Sequence, residues 1–79
     1  MIRAAMIDLD GTLIGKGEEI SARVAHAVGR VSRELPVAIA TGREAADTTR
    51  FARQLGLTAP QICDGGATIA DPASGRPLW

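Results

Sequence analysis

Two aspartates one residue apart, Asp8 and Asp10, leave the apolar run Ala4-Ala5-Met6-Ile7 and enter a turn at Gly11-Thr12. A carboxylate at the end of a buried strand is expensive, and two are more so. A cation or a phosphoryl group that offsets the charge is the usual reason such a pair persists. Successive strand residues point to opposite sides, so Asp8 and Asp10 share a parity. Both face one site if strand geometry continues through Leu9. A second set of groups, Thr41-Gly42-Arg43, follows the short apolar run 36–40. Thr41 offers a hydroxyl, and the backbone N–H groups of Gly42 and Arg43, near a helix start, suit anionic oxygens. A third set is Asp64-Gly65-Gly66. Hard oxygen ligands, paired carboxylates and an amide cradle predict Mg²⁺-assisted phosphoryl transfer. In that chemistry Asp8 attacks phosphorus and becomes an aspartyl-phosphate. Asp10 protonates the leaving oxygen and then takes a proton from water.

Plainer readings stand beside these. Asp10-Gly11 is also ordinary turn chemistry, and Thr41-Gly42-Arg43 an ordinary strand-to-helix connection. Arg43 fits a solvated or capping role better than a phosphate contact. A helix start disfavours a cation, so a nearby anion would be its reason. Asp64 divides evenly between turn and site.

The three sets meet only if the elements bring three strand ends together. Ile2–Leu9 is a continuous apolar run, as expected of a strand covered on both faces. Residues 10–17 form a loop with three glycines. Ser21 caps a helix running to Leu35, with Val24, Val28, Val31 and Leu35 on one face. Pro36–Ala40 is a second strand, and Glu44–Leu55 a second helix. Gly56 suits the left-handed position after that helix, with Leu57 as its closing contact. Pro60–Cys63 is a third strand, 64–66 a turn, and 67–70 with 76–79 a hairpin across 71–75. The order β-α-β-α-β plus a hairpin predicts an α/β domain with a parallel sheet and ligands at the carboxyl ends of its strands. With right-handed crossovers and strand order 1-2-3, both helices lie on one face and the other is bare. Strands 1 and 2 nevertheless read as buried on both sides. Either strand 3 crosses to the far edge of strand 1, or something outside these residues covers the second face.

Composition narrows the class. Seventy-nine residues make one small domain, which buries only ~60–65% of its unfolded surface. Cys63 is the sole cysteine, so no disulfide is available and a reducing, cytoplasmic setting is expected. Nine basic and nine acidic residues cancel, against a nucleic-acid surface or a polybasic membrane patch. Apolar runs fall far short of the ~18–20 residues of a membrane span. Met1-Ile2-Arg3 leads straight into a strand, which leaves no room for a signal peptide. His26 is expected at the surface, Cys63 as a small buried apolar residue, and Arg23, Arg30 and Arg33 as a solvated face. Leu78 and Trp79 are either part of an interface or a frayed end.

Asp8-Leu9-Asp10-Gly11-Thr12-Leu13 resembles the first motif of the haloacid-dehalogenase-like (HAD) phosphatases. Ala40-Thr41-Gly42-Arg43 resembles their second, in the form of the Cof-type branch with a type IIB cap. Ile62 to Ile69 resembles that branch's segment before the hairpin into the cap. The likeness spans the chain, in order. It implies a Rossmann-like three-layer core with strands 1, 2 and 3 consecutive, the second face being covered by the later half; this favours the second explanation of the buried strands. It also implies Asp8 as nucleophile and Asp10 as general acid/base. Mg²⁺ would sit on the Asp8 side chain and the Asp10 backbone carbonyl. Thr41 and Gly42 would hold phosphoryl oxygens, with Arg43 as the adjoining phosphate-site residue. The implied substrate is a small phosphorylated metabolite such as a sugar phosphate. Two departures stand out. Gly65 occupies the place of the branch's usual Asn. The family's later lysine and the acidic pair that completes the metal site are not among the 79 residues, and the only lysine, Lys16, lies in the first loop. Residues 1–79 are therefore expected to be the N-terminal part of a HAD-like core domain, lacking its cap and C-terminal half and inactive alone. Two other classes compete. One is a receiver-like phospho-accepting domain using Asp64, against which the Gly65-Gly66 turn and following hairpin argue. The other is a non-catalytic assembly module that docks through an apolar face.

Overall fold

The structure, a computed structural model, describes residues 3–15, 17 and 19–79; the start of the expected first strand (Met1, Ile2) and the loop residues Lys16 and Glu18 lie outside the described residues. The first strand, β1, spans Ala5–Asp8 and runs parallel to β2, Val37–Ala40, with Ala5 opposite Val37 and Asp8 opposite Ala40. Next comes β3, Gln61–Cys63, parallel to β2 with Ile62 opposite Ala40. The chain then turns back, and β4, Thr68–Ala70, pairs antiparallel with β3. The order is β1-β2-β3-β4, so the expected consecutive parallel strands are present within a mixed sheet. The expected hairpin partner, 76–79, returns along β4, with Leu78 N–H on Ile69 C=O and Ile69 N–H on Trp79 C=O.

Two helices cross between the parallel strands. The first, α1, spans Ala22–Glu34, and the Ser21 hydroxyl accepts from Val24 N–H as its cap. The second, α2, spans Ala45–Gln54. It ends in a Schellman motif: Gly56 is left-handed (φ 74°), its N–H donates to Arg53 C=O, and Leu57 N–H donates to Ala52 C=O. Leu57 is buried, as that motif requires.

The helices cover one face of the sheet. Along β1, Ala5 and Ile7 are half-buried while Met6 and Asp8 are exposed. Met6 is 68% exposed, so within these residues the second face is bare, as strand order 1-2-3 requires, and strand 3 does not cross to the far edge of strand 1. Right-handed crossovers in the order 1-2-3 put both helices on the side of Ala5, Ile7, Val37 and Ile39. Ala38, Ala40 and Ile62 share the Met6 side by register. Along the valine stripe of α1, Val28 is buried and Val31 is 42% exposed.

The loop after β1 is tied down. Leu9 C=O accepts from Leu13 and Ile14 N–H at 3.0 Å each, and Gly11 N–H donates to Ile14 C=O. Leu9, Leu13 and Ile14 are all buried in the core. The glycine-rich appearance of this segment hides an apolar plug that fixes where Asp10 emerges.

Gln61 is fully buried in β3. Its Oε1 accepts from Ile39 N–H at 2.6 Å, and its Nε2 donates to Val37 C=O at 3.2 Å and Ala59 C=O at 2.8 Å. The β2–β3 register has a single pair, Ala40 opposite Ile62. The amide side chain therefore substitutes for missing ladder bonds at the other end of β2.

Candidate active site

Asp8 closes β1, and its strand partner Ala40 is followed at once by Thr41. The carboxyl ends of β1, β2 and β3 frame an open groove of about 400 Å³, whose lining includes Asp8, Thr41, Gly42, Gly65 and Gly66. Asp8 is exposed, and among the described residues its carboxylate makes no hydrogen bond or ion pair.

Thr41 is held on every side. Its N–H donates to Ile62 C=O at 3.1 Å, and its C=O accepts from Gly65 N–H at 3.0 Å. Its Oγ1 accepts from Arg43 N–H at 3.2 Å, which leaves the hydroxyl proton to donate into the groove. The Arg43 amide, expected to face an anion, is thus engaged within the loop. Asp64 N–H donates to Arg43 C=O at 2.8 Å, so the turn after β3 is stitched to the segment after β2. That turn holds three successive left-handed residues, Asp64 (φ 52°), Gly65 (φ 64°) and Gly66 (φ 98°). Glycine takes this conformation without the penalty a Cβ imposes, and Asp is among the few other residues that visit it.

Asp10 follows a different course. The chain leaves strand geometry at Leu9, and the Asp10 carboxylate stands beside the groove rather than in its wall. Arg43 grips it with both edges of a fork, Nε to Oδ2 at 3.1 Å and Nη2 to Oδ1 at 2.7 Å. Arg43 Nη1 also donates to Asp47 Oδ2 at 2.8 Å, and the guanidinium carbon lies 5.5 Å from the centre of the Phe51 ring. These hydrogen bonds from Arg43 hold the Asp10 carboxyl below the usual carboxylate range. Asp47 is lowered likewise, by Arg50 first and Arg43 second.

With the geometry fixed, the decisive comparison is a family model of haloacid dehalogenase-like hydrolases, which matches residues 5–78. The chain belongs to the haloacid dehalogenase-like hydrolases. Solved structures of other HAD-like proteins share its fold. A haloacid dehalogenase-like hydrolase from B. subtilis is 32% identical, with a TM-score of 0.80 over 98% of this chain and 27% of that one. A phosphatase of the HAD superfamily from Bacteroides thetaiotaomicron is 26% identical, with a TM-score of 0.81 over 99% of this chain and 29% of that one. A sugar phosphatase of HAD subclass IIB, at 24% identity and a TM-score of 0.68, matches in fold over 89% of this chain and 28% of its own. The chain thus spans under a third of the length of these HAD-like proteins. Comparison with curated proteins gives no match.

Within this HAD-like framework the predicted residues fall into two groups. Asp8, Thr41 and Gly42 share the groove, while Asp10 and Arg43 form an ion pair at its side. Asp47 and Phe51, which back Arg43, belong to none of the motifs. The four-residue steps from Arg43 to Asp47 to Phe51 were the available signal, because they stack on one helix face.

Among the described residues no cluster of three or more His, Cys, Asp or Glu side chains is placed to hold a metal. The donors fit Mg²⁺ in kind, though not in number. That ion is commonly held by one or two carboxylates while waters and substrate phosphate fill its octahedron. The unpartnered Asp8 carboxylate and the Asp10 carbonyl are such oxygens. No helix among the described residues is long and apolar enough to cross a membrane.

Proposed function

We propose that this chain carries the nucleophile segment of a Mg²⁺-dependent phosphomonoesterase of the Cof-type, subclass IIB branch, acting on small phosphorylated metabolites such as sugar phosphates. The observation that carries the reading is Asp8: a carboxylate without a partner among the described residues, at the carboxyl end of the edge strand β1, in one groove with the Thr41 hydroxyl. Asp8 Oδ forms the bond to phosphorus while the ester P–O bond breaks. Asp10 gives the departing oxygen a proton. Water then attacks phosphorus, Asp10 takes its proton, and the bond to Asp8 breaks to release phosphate. Thr41 Oγ1 and the Gly42 N–H orient phosphoryl oxygens. The Asp8 carboxylate and the Asp10 carbonyl would hold Mg²⁺, whose charge would offset that of the phosphoryl oxygens.

Residues 1–79 are in this reading the N-terminal part of the core domain of a cytoplasmic enzyme. The remaining core rests on the bare sheet face of Met6, Ala38 and Ile62. Supporting this are the exposure of that face and the small fraction of each relative that the chain spans. The receiver-like alternative is disfavoured, because β3 leads into a left-handed turn and β4 rather than a helix.

The test is hydrolysis of p-nitrophenyl phosphate. The 79-residue chain should show no Mg²⁺-dependent turnover. A polypeptide continued to the length of the relatives should show it, and Asp8→Asn should lower kcat by about 10³-fold or more. Turnover that survives Asp8→Asn would refute the assignment.

A further inference from the structure

We propose that Arg43 is the positioning residue of Asp10: anchored on α2, it grips both carboxylate oxygens and fixes where the proton-transfer group stands. Asp10 has its backbone fixed by the loop, but its side chain has no other partner among the described residues. It sits on a loop with a side chain 56% exposed, whereas the Arg43 side chain is 19% exposed. An exposed aspartate on a loop ordinarily samples several rotamers. Arg43 lies just before α2 and is constrained from that helix, by Asp47 at 2.8 Å and by the Phe51 ring. Arg50 in turn holds Asp47 at 2.9 Å and lies over the same ring at 4.3 Å. The order of constraint therefore runs from the helix to Arg43 and from Arg43 to the loop.

The planar fork matters. Nε and Nη2 present two parallel donors that match a carboxylate, and an ammonium group has no such edge. A cation in the first residues before a helix is disfavoured by the helix dipole, and among the described residues the carboxylates of Asp10 and Asp47 offset that cost. The clamp also separates the roles of the two aspartates. It draws the Asp10 side chain to the α2 side and leaves Asp8 unpartnered in the groove. That Asp10 is the proton-transfer group rests on the function proposed above; the clamp itself does not.

The test is NMR of the isotopically labelled 79-residue chain. The wild type should show a single Asp10 χ1 rotamer and slowed exchange of the Arg43 Nε–H. Arg43→Gln should release Asp10 into rotamer averaging, and Arg43→Lys should not restore order. Should Arg43→Gln unfold the chain, Asp10→Asn gives the reciprocal reading, since the Nε–H that faces Asp10 should lose its slow exchange. Averaging of Asp10 in the wild type, or a fixed Asp10 after Arg43→Gln, overturns the proposal, as does slow exchange that persists in Asp10→Asn. In a turnover-competent longer polypeptide, Arg43→Gln should lower kcat by about 10–100-fold with KM changed less than about 3-fold. A raised KM with kcat retained would make Arg43 a substrate contact instead. If no polypeptide turns over, the NMR result still decides the clamp.

Discussion

Gln61 carries more of the fold than its polarity indicates. Its side chain satisfies an N–H and a C=O of β2 in a fully buried position. Gln61→Leu keeps the bulk and strands both groups, which should cost about 2–6 kcal/mol at roughly 1–3 kcal/mol for each unmet buried group. Urea unfolding measures this; a loss below about 0.5 kcal/mol would mean the strand pair closes without the amide. Nothing in the sequence marked this glutamine, because its role depends on β3 meeting β2 at one register pair. The Asp8–Asp10 spacing and the Thr41-Gly42-Arg43 tripeptide were visible as chemistry. The fork between Arg43 and Asp10 was not, since it spans 33 positions and depends on how residues 9–14 fold. A cation before a helix calls for an anion nearby, and among the described residues Asp10 and Asp47 supply it.

At the scale of elements, local signals served well wherever one short segment decides the outcome. Ser21 caps α1, and Gly56 with Leu57 ends α2 as expected. They served less well where a partner decides. Val31 has helical spacing but is 42% exposed, and β4 pairs with β3, which no local pattern announces. The bend after β4 supplies a pH test. Asp71 Oδ2 accepts from the Ser74 hydroxyl at 2.7 Å and from Ser74 N–H at 3.2 Å. These bonds, the hydroxyl first, lower the Asp71 pKa. The folded value lies below the unfolded value of about 3.9. The bend's contribution to stability is therefore complete above about pH 4 and fades as pH falls through the lowered value. Ser74→Ala should raise the Asp71 midpoint toward the ordinary carboxylate range in an NMR titration. An unchanged midpoint would assign the shift to another cause.

The whole molecule is a sheet with one covered face, and this asymmetry predicts two unequal substitutions. Met6→Gln on the open side should change stability by no more than about 0.5 kcal/mol. Ile39→Ala, one strand over and fully buried beneath the helices, should remove about 2–5 kcal/mol, enough to unfold much of so small a domain. Equal losses in thermal melts would show the open side to be covered. A continuous apolar strand shows that both sides tolerate burial but not which neighbour supplies it, so the exposure of Met6 could not be read from residues 2–9 alone. The same architecture governs how motion reaches the groove. Thr41 is bonded through its N–H to Ile62 and through its C=O to Gly65, while Arg43 C=O is bonded to Asp64. Mechanically this junction is a weld and not a hinge. A pull on the polypeptide beyond β4 is transmitted through the 64–66 corner to the Thr41 hydroxyl as one rigid lever.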